Sequence, residues 1–314
     1  MDVTAADIAG SGQRRLAVEE LQAALLAAWR GDFTDGGSAA ASTMVAGRPA
    51  AHIVNGREGG VAHGSARTGS AAAATASGMT GVRPAGRAVV VLGAHAGAGA
   101  STVAVAIADA LSDVGERVRL VDCADPRRSA LAAVTSIELG VDAVGWRRGS
   151  RATPGGEVLV ERLAGPASGV DAVPPPARGD PGWLVVDVGW PAWQAVDATG
   201  WVAELLASAR LVLVHRPTLP GIRQAEHLLA ELRPVDRLPL VACVGVARWP
   251  RVVTASCGPL LGEIHAAGRL VAMPVDQRVE VTGPTADPLP APVGAAGRVL
   301  ARLLTDHATS RRTA

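Results

Sequence analysis

The stretch that decides the fold runs Ala88-Val89-Val90-Val91-Leu92-Gly93-Ala94-His95-Ala96-Gly97-Ala98-Gly99-Ala100-Ser101-Thr102. Its first five residues form a continuous apolar run, the pattern of a parallel strand buried on both faces. A helical pattern starts at Ser101, with Val103, Ile107, Ala110 and Val114 on one face and Gly115 as a stop signal. A strand that passes through a glycine-rich turn into a helix lets successive backbone N–H groups surround an anion, and the helix N-terminus adds its partial positive charge. Gly93, His95, Ala96, Gly97, Ala98, Gly99, Ala100, Ser101 and Thr102 are therefore candidate phosphate-binding residues.

Further apolar runs follow at Val118 to Val121, Trp183 to Val186, Leu211 to Val214, Leu240 to Val244 and Leu270 to Met273, with helix-length segments between most of them. Strands alternating with helices mean βαβ units, and right-handed crossovers then build a mostly parallel sheet with helices on both faces, an α/β fold. The stretch from Gly149 to Gly182 breaks this rhythm with Pro154, Pro166 and Pro174-Pro175-Pro176, and reads as a long surface excursion. Upstream, Val18, Leu21, Leu25 and Trp29 predict an amphipathic helix within 1–34. Residues 35–86 are dominated by Gly, Ala, Ser and Thr, a composition too poor in large apolar groups to offset the entropy of ordering, and read as a flexible linker. The ordered domain is expected over 87–306, with a frayed tail at 307–314.

Composition narrows the function classes. The 314 residues carry 30 basic and 29 acidic side chains, so no global field marks a nucleic-acid binder. Cys123, Cys243 and Cys257 are widely spaced and form no CxxC, which argues against a zinc site or a disulfide framework and fits a reducing compartment. No run is apolar for the length that a membrane span needs, and the expected location is cytoplasmic. The sequence contains no lysine, so every basic residue is an arginine.

In an active phosphate loop a lysine follows the last glycine and neutralises the β and γ phosphates, while the next Ser or Thr ligates magnesium. Ala100 holds the lysine position here and Ser101 the metal position. The loop resembles that of the MinD/ParA group of P-loop NTPases, whose deviant form reads roughly Lys-Gly-Gly-x-Gly-Lys-Thr-Thr. His95 stands at the signature lysine of that pattern and Ala100 at the second. Losing a charge-assisted contact worth about 1.5–3 kcal/mol weakens nucleotide binding on the order of 10- to 100-fold.

The resemblance continues through Val121-Asp122-Cys123-Ala124-Asp125-Pro126, similar to an Asp-x-Asp-Pro element with one residue inserted, and through Trp183-Leu184-Val185-Val186-Asp187, similar to a Walker B strand. It implies that Ser101, Asp122 and Asp187 organise magnesium, with Asp122 and Asp187 as the catalytic carboxylates. Leu211 to Val214, then Arg216-Pro217-Thr218 and a helix from Gly221, resemble the segment after Walker B. Met273-Pro274-Val275-Asp276 resembles the loop flanking the base, which makes Pro274 and Asp276 cofactor-binding candidates. An adenine-reading asparagine expected after the strand ending at Val244 is replaced by Gly245-Val246-Ala247. The lysine-less loop looks most like the CpaE/TadZ and septum-site-determining branch.

That resemblance implies ATP or ADP with Mg as cofactor, a homodimer, and a positioning, partitioning or secretion-site switch. The protein partner, unidentified, would bind through the N-terminal helix. A pseudo-ATPase is one form of the reading; a slow Mg-dependent ATPase in which an arginine replaces the lysine, with non-specific DNA binding, is the alternative. Arg127, Arg128, Arg147, Arg148 and Arg151 could form a phosphate clamp or a basic surface, although solvated charge is the simpler reading. Trp183, Trp190 and Trp193 could meet a ligand, with core or dimer packing the simpler reading. Val299, Leu300, Leu303 and Leu304 read as the helix that closes the fold.

Overall fold

The computed structural model describes residues 87–177, 182–232, 238–246 and 248–309. The expected helix within 1–34 and the linker over 35–86 lie outside the described residues, as does the tail beyond Thr309. Strand β1 (Ala88–Gly93) passes through the glycine loop into helix α1 (Ala100–Asp113), which leads to β2 (Val118–Asp122). Three strands follow without a helix between them: β3 (Ile137–Val141), β4 (Trp146–Thr153) and β5 (Gly156–Leu163). Next come β6 (Trp183–Asp187), helices α2 (Ala192–Val196) and α3 (Trp201–Ser208), β7 (Arg210–His215), α4 (Leu219–Glu231) and β8 (Leu240–Val244). The chain ends with α5 (Arg251–Ala255), α6 (Pro259–Ala266), β9 (Leu270–Met273), α7 (Gln277–Thr282) and α8 (Ala291–Thr309).

Among the described residues the sheet has nine strands in the order β3-β4-β5-β2-β6-β1-β7-β8-β9. Every pairing from β5 to β9 is parallel, and only β4 runs against its two neighbours. β1 lies at the centre, and its alternation divides the core in two. Val89 and Val91 face a cluster with Val103, Ile107 and Leu111 of α1 and Leu300 and Leu304 of α8. Ala88, Val90 and Leu92 face the other side, with Leu205 of α3, Leu228 of α4 and Leu261 of α6. A strand buried on both faces has no room for a polar residue on either, which is why β1 is legible as an unbroken apolar run.

The helix stop at Gly115 is realised by a left-handed backbone at φ 82°, which costs glycine little, and the Gly115 N–H donates to the Ser112 carbonyl at 2.9 Å. Helices α1 and α8 approach so closely that a β-carbon on Gly297 would lie 2.4 Å from the Ala106 carbonyl oxygen. The predicted closing helix is α8: Leu300 and Leu304 are buried, Leu303 is partly buried, and Val299 faces outward.

One expectation is overturned. The stretch from Gly149 does not leave the sheet; β4 and β5 extend it by eight residues each, and only the part after Leu163 is irregular. The reason is chemical. These strands bury ion pairs where a parallel strand would bury valines, so the apolar signal is absent from β4 and shrinks to Val158-Leu159-Val160 in β5. Glu161 is fully buried between Arg119 at 2.5 Å and Arg148 at 3.2 Å. Arg151, also fully buried, grips Asp109 of α1 through Nε at 2.7 Å and Nη2 at 2.9 Å, and donates to the Val134, Thr285 and Asp287 carbonyls. Arg162 pairs with Glu138.

Candidate phosphate-binding site

Because β2, β6, β1 and β7 run parallel, their C-terminal residues meet at one edge of the sheet. Asp122 and Asp187 are register partners there. The glycine loop rises from the same edge, where Ala94 N–H donates to the Val214 carbonyl at 2.7 Å and ties it to β7. Gly97 (φ 72°) and Gly99 (φ 95°) adopt the left-handed backbone that turns the chain into α1. Gly99 also sits against Val244 of β8, where a β-carbon would meet Val244 at 3.3 Å. The N–H groups of the first turn of α1 have no partner inside the helix. They border a cleft of about 800 Å³, a size suited to a cofactor of nucleotide dimensions.

All nine candidate loop residues except Ala98 line this cleft; Ala98 is buried, with its N–H on the His95 carbonyl at 3.2 Å. Pro274 and Asp276 line the opposite wall. Asp276 is committed to capping α7, accepting from the Arg278 and Val279 N–H groups at 3.0 and 3.2 Å. At the position expected for an adenine-reading side chain, Gly245 faces Pro217, whose Cδ would lie 2.5 Å from an added β-carbon.

Beneath the loop, the two carboxylates differ. Asp122 is buried but satisfied: the Ala124 N–H donates to Oδ1 at 2.9 Å and the Ser129 hydroxyl donates to Oδ2 at 2.5 Å. Asp187 is 1% exposed, and neither of its oxygens has a hydrogen-bond partner. Burial first, and then the Asp122 carboxylate beside it, push its pKa up to about 7, against smaller opposing pulls from the Ser101 hydroxyl and the Gly189 N–H. Those pulls are smaller than that of burial, and neither carboxylate oxygen has a partner that meets hydrogen-bond geometry. A buried carboxylate with no partner is costly, and a cation beside Ser101 would remove that cost. Asp122 is raised as well, by burial ahead of all other causes. Asp125 belongs to a different unit. It is held by Arg127 at 2.8 and 2.9 Å, which keeps its carboxyl well below the usual range.

The loop histidine turns inward. His95 Nε2 accepts the Arg216 backbone N–H at 3.2 Å, which leaves Nδ1 as donor to the Ala96 carbonyl at 2.9 Å. The Arg216 side chain crosses the cleft mouth: its Nε donates to the Gly97 carbonyl at 3.1 Å, and its Nη1 reaches Glu280 of α7 at 3.0 Å. Sequence reasoning allowed an arginine to replace the lysine but did not single out Arg216, because a residue just past β7 comes to the loop only through strand order.

The five arginines considered as a clamp do not converge. Arg151 is buried on Asp109, Arg148 pairs with Glu161 and Arg127 with Asp125. Arg128 alone among them lines the cleft, its guanidinium 5.4 Å from the Trp190 ring. Trp183 is core, Trp190 donates from Nε1 to the Cys123 carbonyl at 2.7 Å, and Trp193 is 63% exposed at the cleft.

No family model matches the chain, and no curated protein matches it. Similar solved structures are MinD and ParA ATPases. The MinC:MinD complex of Aquifex aeolicus is 16% identical, covers 70% of this chain and 96% of that chain, and has a TM-score of 0.46. The septum site-determining protein MinD complexed with Mg-ADP from Pyrococcus horikoshii is 14% identical, covers 71% and 97%, and has a TM-score of 0.45. The pNOB8 ParA bound to nonspecific DNA is 14% identical, covers 73% and 98%, and has a TM-score of 0.44. With TM-scores below 0.5, these similarities add nothing to the reading of the site, which stands on the geometry of loop, carboxylates and arginine. Among the described residues, no helix is long and apolar enough to cross a membrane, and no cluster of three or more His, Cys, Asp or Glu could hold a metal by itself.

Proposed function

We propose that the chain is a MinD/ParA-like nucleotide-responsive switch that binds ATP or ADP with magnesium, turns it over slowly or not at all, and acts by positioning a partner. The observation that carries this is the pairing of a left-handed glycine loop at a helix N-terminus with the orphaned, buried carboxylate of Asp187 directly below it. The loop N–H groups and the α1 terminus would hold the phosphates, Ser101 and Asp187 would hold magnesium, and Pro274 and Val275 would flank the base. Asp122, already bonded through both oxygens, suits a positioning role more than metal ligation.

Magnesium, when bound, supplies positive charge against the phosphates. That charge is needed because the cleft wall carries Glu231, Asp276 and Glu280 as well as Arg128 and Arg216, and no lysine exists to offset them. Three carboxylates against two arginines leave the wall net negative, and it would repel a polyphosphate that arrives without a metal cation. Binding is therefore expected to depend on magnesium. With Ala100 in the lysine position, developing charge on a transferring phosphoryl group has no side-chain cation from the loop itself, which removes one of the larger contributions to turnover.

The slow-ATPase reading has one observation in its favour, the place of Arg216 against Gly97. Homodimerisation, a partner engaged through the N-terminal segment and the lysine-less CpaE/TadZ branch belong to the proposal as further expectations, and non-specific DNA binding belongs to the slow-ATPase alternative. DNA binding would show a steep loss with added salt. The test is titration of the full chain with a fluorescent ATP analogue, with and without magnesium, while following oligomeric state. Magnesium-dependent binding supports the switch. No binding up to millimolar nucleotide removes it and leaves a nucleotide-free scaffold.

A further inference from the structure

We propose that Arg216 is the cation that stands in for both missing loop lysines, and that its ion pair with Glu280 is a latch which an incoming polyphosphate competes open. This rests on the nucleotide-binding reading above and names the residue that regulates the same site. Three features of the structure carry it.

Arg216 is fixed to the loop from two directions. Its backbone N–H is held by His95 and its Nε by the Gly97 carbonyl, so the guanidinium root sits beside the loop before any ligand arrives. The close approach of Gly221, where a β-carbon would stand 3.1 Å from His95 Nε2, keeps this bracket tight. Prior placement matters because a pre-organised arginine loses less freedom on bonding than a free one.

The outer end of the same side chain is not committed in this way. Nη1 meets Glu280 in a pair whose side chains are 32% and 48% exposed. An exposed pair of that kind adds little stability, so the guanidinium can leave it at small cost. Two of its five N–H donors are engaged, on Gly97 and Glu280. A planar guanidinium with free donors matches a phosphate oxygen pair in a way that a buried, fully bonded arginine such as Arg151 cannot.

Glu280 lies on α7, the helix that Asp276 caps, and the loop ahead of that cap is the wall proposed to flank the base. Capture of Arg216 by phosphate would therefore detach α7 from the loop and change the outer wall of the cleft. Arg128, across the cleft, is stacked on Trp190 and makes no side-chain bond to the loop, which marks it as the weaker candidate.

The experiment measures binding of ATP with magnesium, and separately of inorganic triphosphate, to the full-length wild type, R216A, R216K, E280Q and the R216A/E280Q double variant. Melting curves confirm that each is folded, as expected for side chains this exposed. Relative to wild type, R216A should bind about 10- to 100-fold more weakly, and R216K should recover much of the loss. E280Q should bind about two- to fivefold more tightly, and this gain should vanish in the R216A background. Inorganic triphosphate should report the same ratios, since the contact is to phosphate. Wild-type binding that R216A leaves unchanged overturns the inference while sparing the nucleotide reading. An equal gain from E280Q with and without Arg216 overturns the latch, because it would show removal of a bare charge. Absence of binding by wild type and by E280Q at millimolar ligand overturns both readings together.

Discussion

Single side chains at the loop decide how far this fold is committed to its ligand. Ala100 removes a charge without disturbing the backbone cradle, because the glycines and not the lysine set the loop's path. A100K should therefore fold normally and bind Mg-ATP about tenfold or more tightly, read by the same titration. Asp187 has the opposite character, since its carboxylate is retained at a cost to stability. Its folded-state pKa is pushed above the ordinary carboxylate value, up to about 7. The stability linked to its proton is therefore full below the unfolded value and is lost as pH rises through about 7. D187N, near in shape and uncharged, should melt higher than wild type at pH 8 and no differently near pH 4. It should also lose magnesium-dependent binding. An equal stability gain at both pH values would mean that the side chain carries no orphaned charge.

Elements were legible in the sequence in proportion to how apolar their burial is. β1, β6 and β8 were readable because each buries aliphatic residues in a continuous run, and β2, β7 and β9 because aliphatic residues dominate them although Arg119, Arg210 and the exposed Ala272 interrupt the burial. β4 and β5 were not, because Arg148, Ser150, Arg151, Glu161 and Arg162 occupy their positions and look like a solvated loop. β3 hides for another reason: all five of its residues are exposed at the sheet edge, so its pairing with β4 leaves no burial pattern to read. The site followed the same division. Loop, Asp122, Asp187 and Pro274 are local features of strand ends, whereas Arg216 and Glu280 meet across 64 residues of chain. The charged strands are also open to test. Arg151→Met leaves the partly buried Asp109, its side chain 17% exposed, without its partner, and should cost about 1–3 kcal/mol in denaturant unfolding. Replacing Asp109 with Leu in the same chain should restore most of that loss, since an apolar pair of similar volume can substitute for a buried ion pair. A double variant as unstable as the single one would mean that the bonds from Arg151 to Val134, Thr285 and Asp287, not the charge pair, hold β4 in place.

At the scale of the whole molecule, the C-terminal edge of the sheet gathers groups whose titration opposes folding from both sides of neutrality, Asp187 by losing a proton and His215 by gaining one. Asp187 acts as pH rises. His215, at the end of β7, acts as it falls. Its ring is fully buried, with Nδ1 donating to the Arg216 carbonyl at 2.9 Å, Nε2 without a partner, and Trp249 edge-on at 5.7 Å. Burial, and then the nearby His95, lower its pKa below 6.5. The unfolded chain therefore takes up a proton at pH values where the folded chain does not. Stability from this group is present above about 6.5 and is lost as pH falls toward the lowered folded value. The two groups oppose each other between the carboxylate range and neutrality, so a melting profile of wild type alone would blur both. Comparing variants separates them. His215→Gln cannot titrate, and the gap between its melting temperature and that of wild type should shift in its favour as pH falls from 7 to 5. The corresponding gap for D187N should shrink over the same interval. Parallel profiles for His215→Gln and wild type would place the acid sensitivity in other groups at the sheet edge.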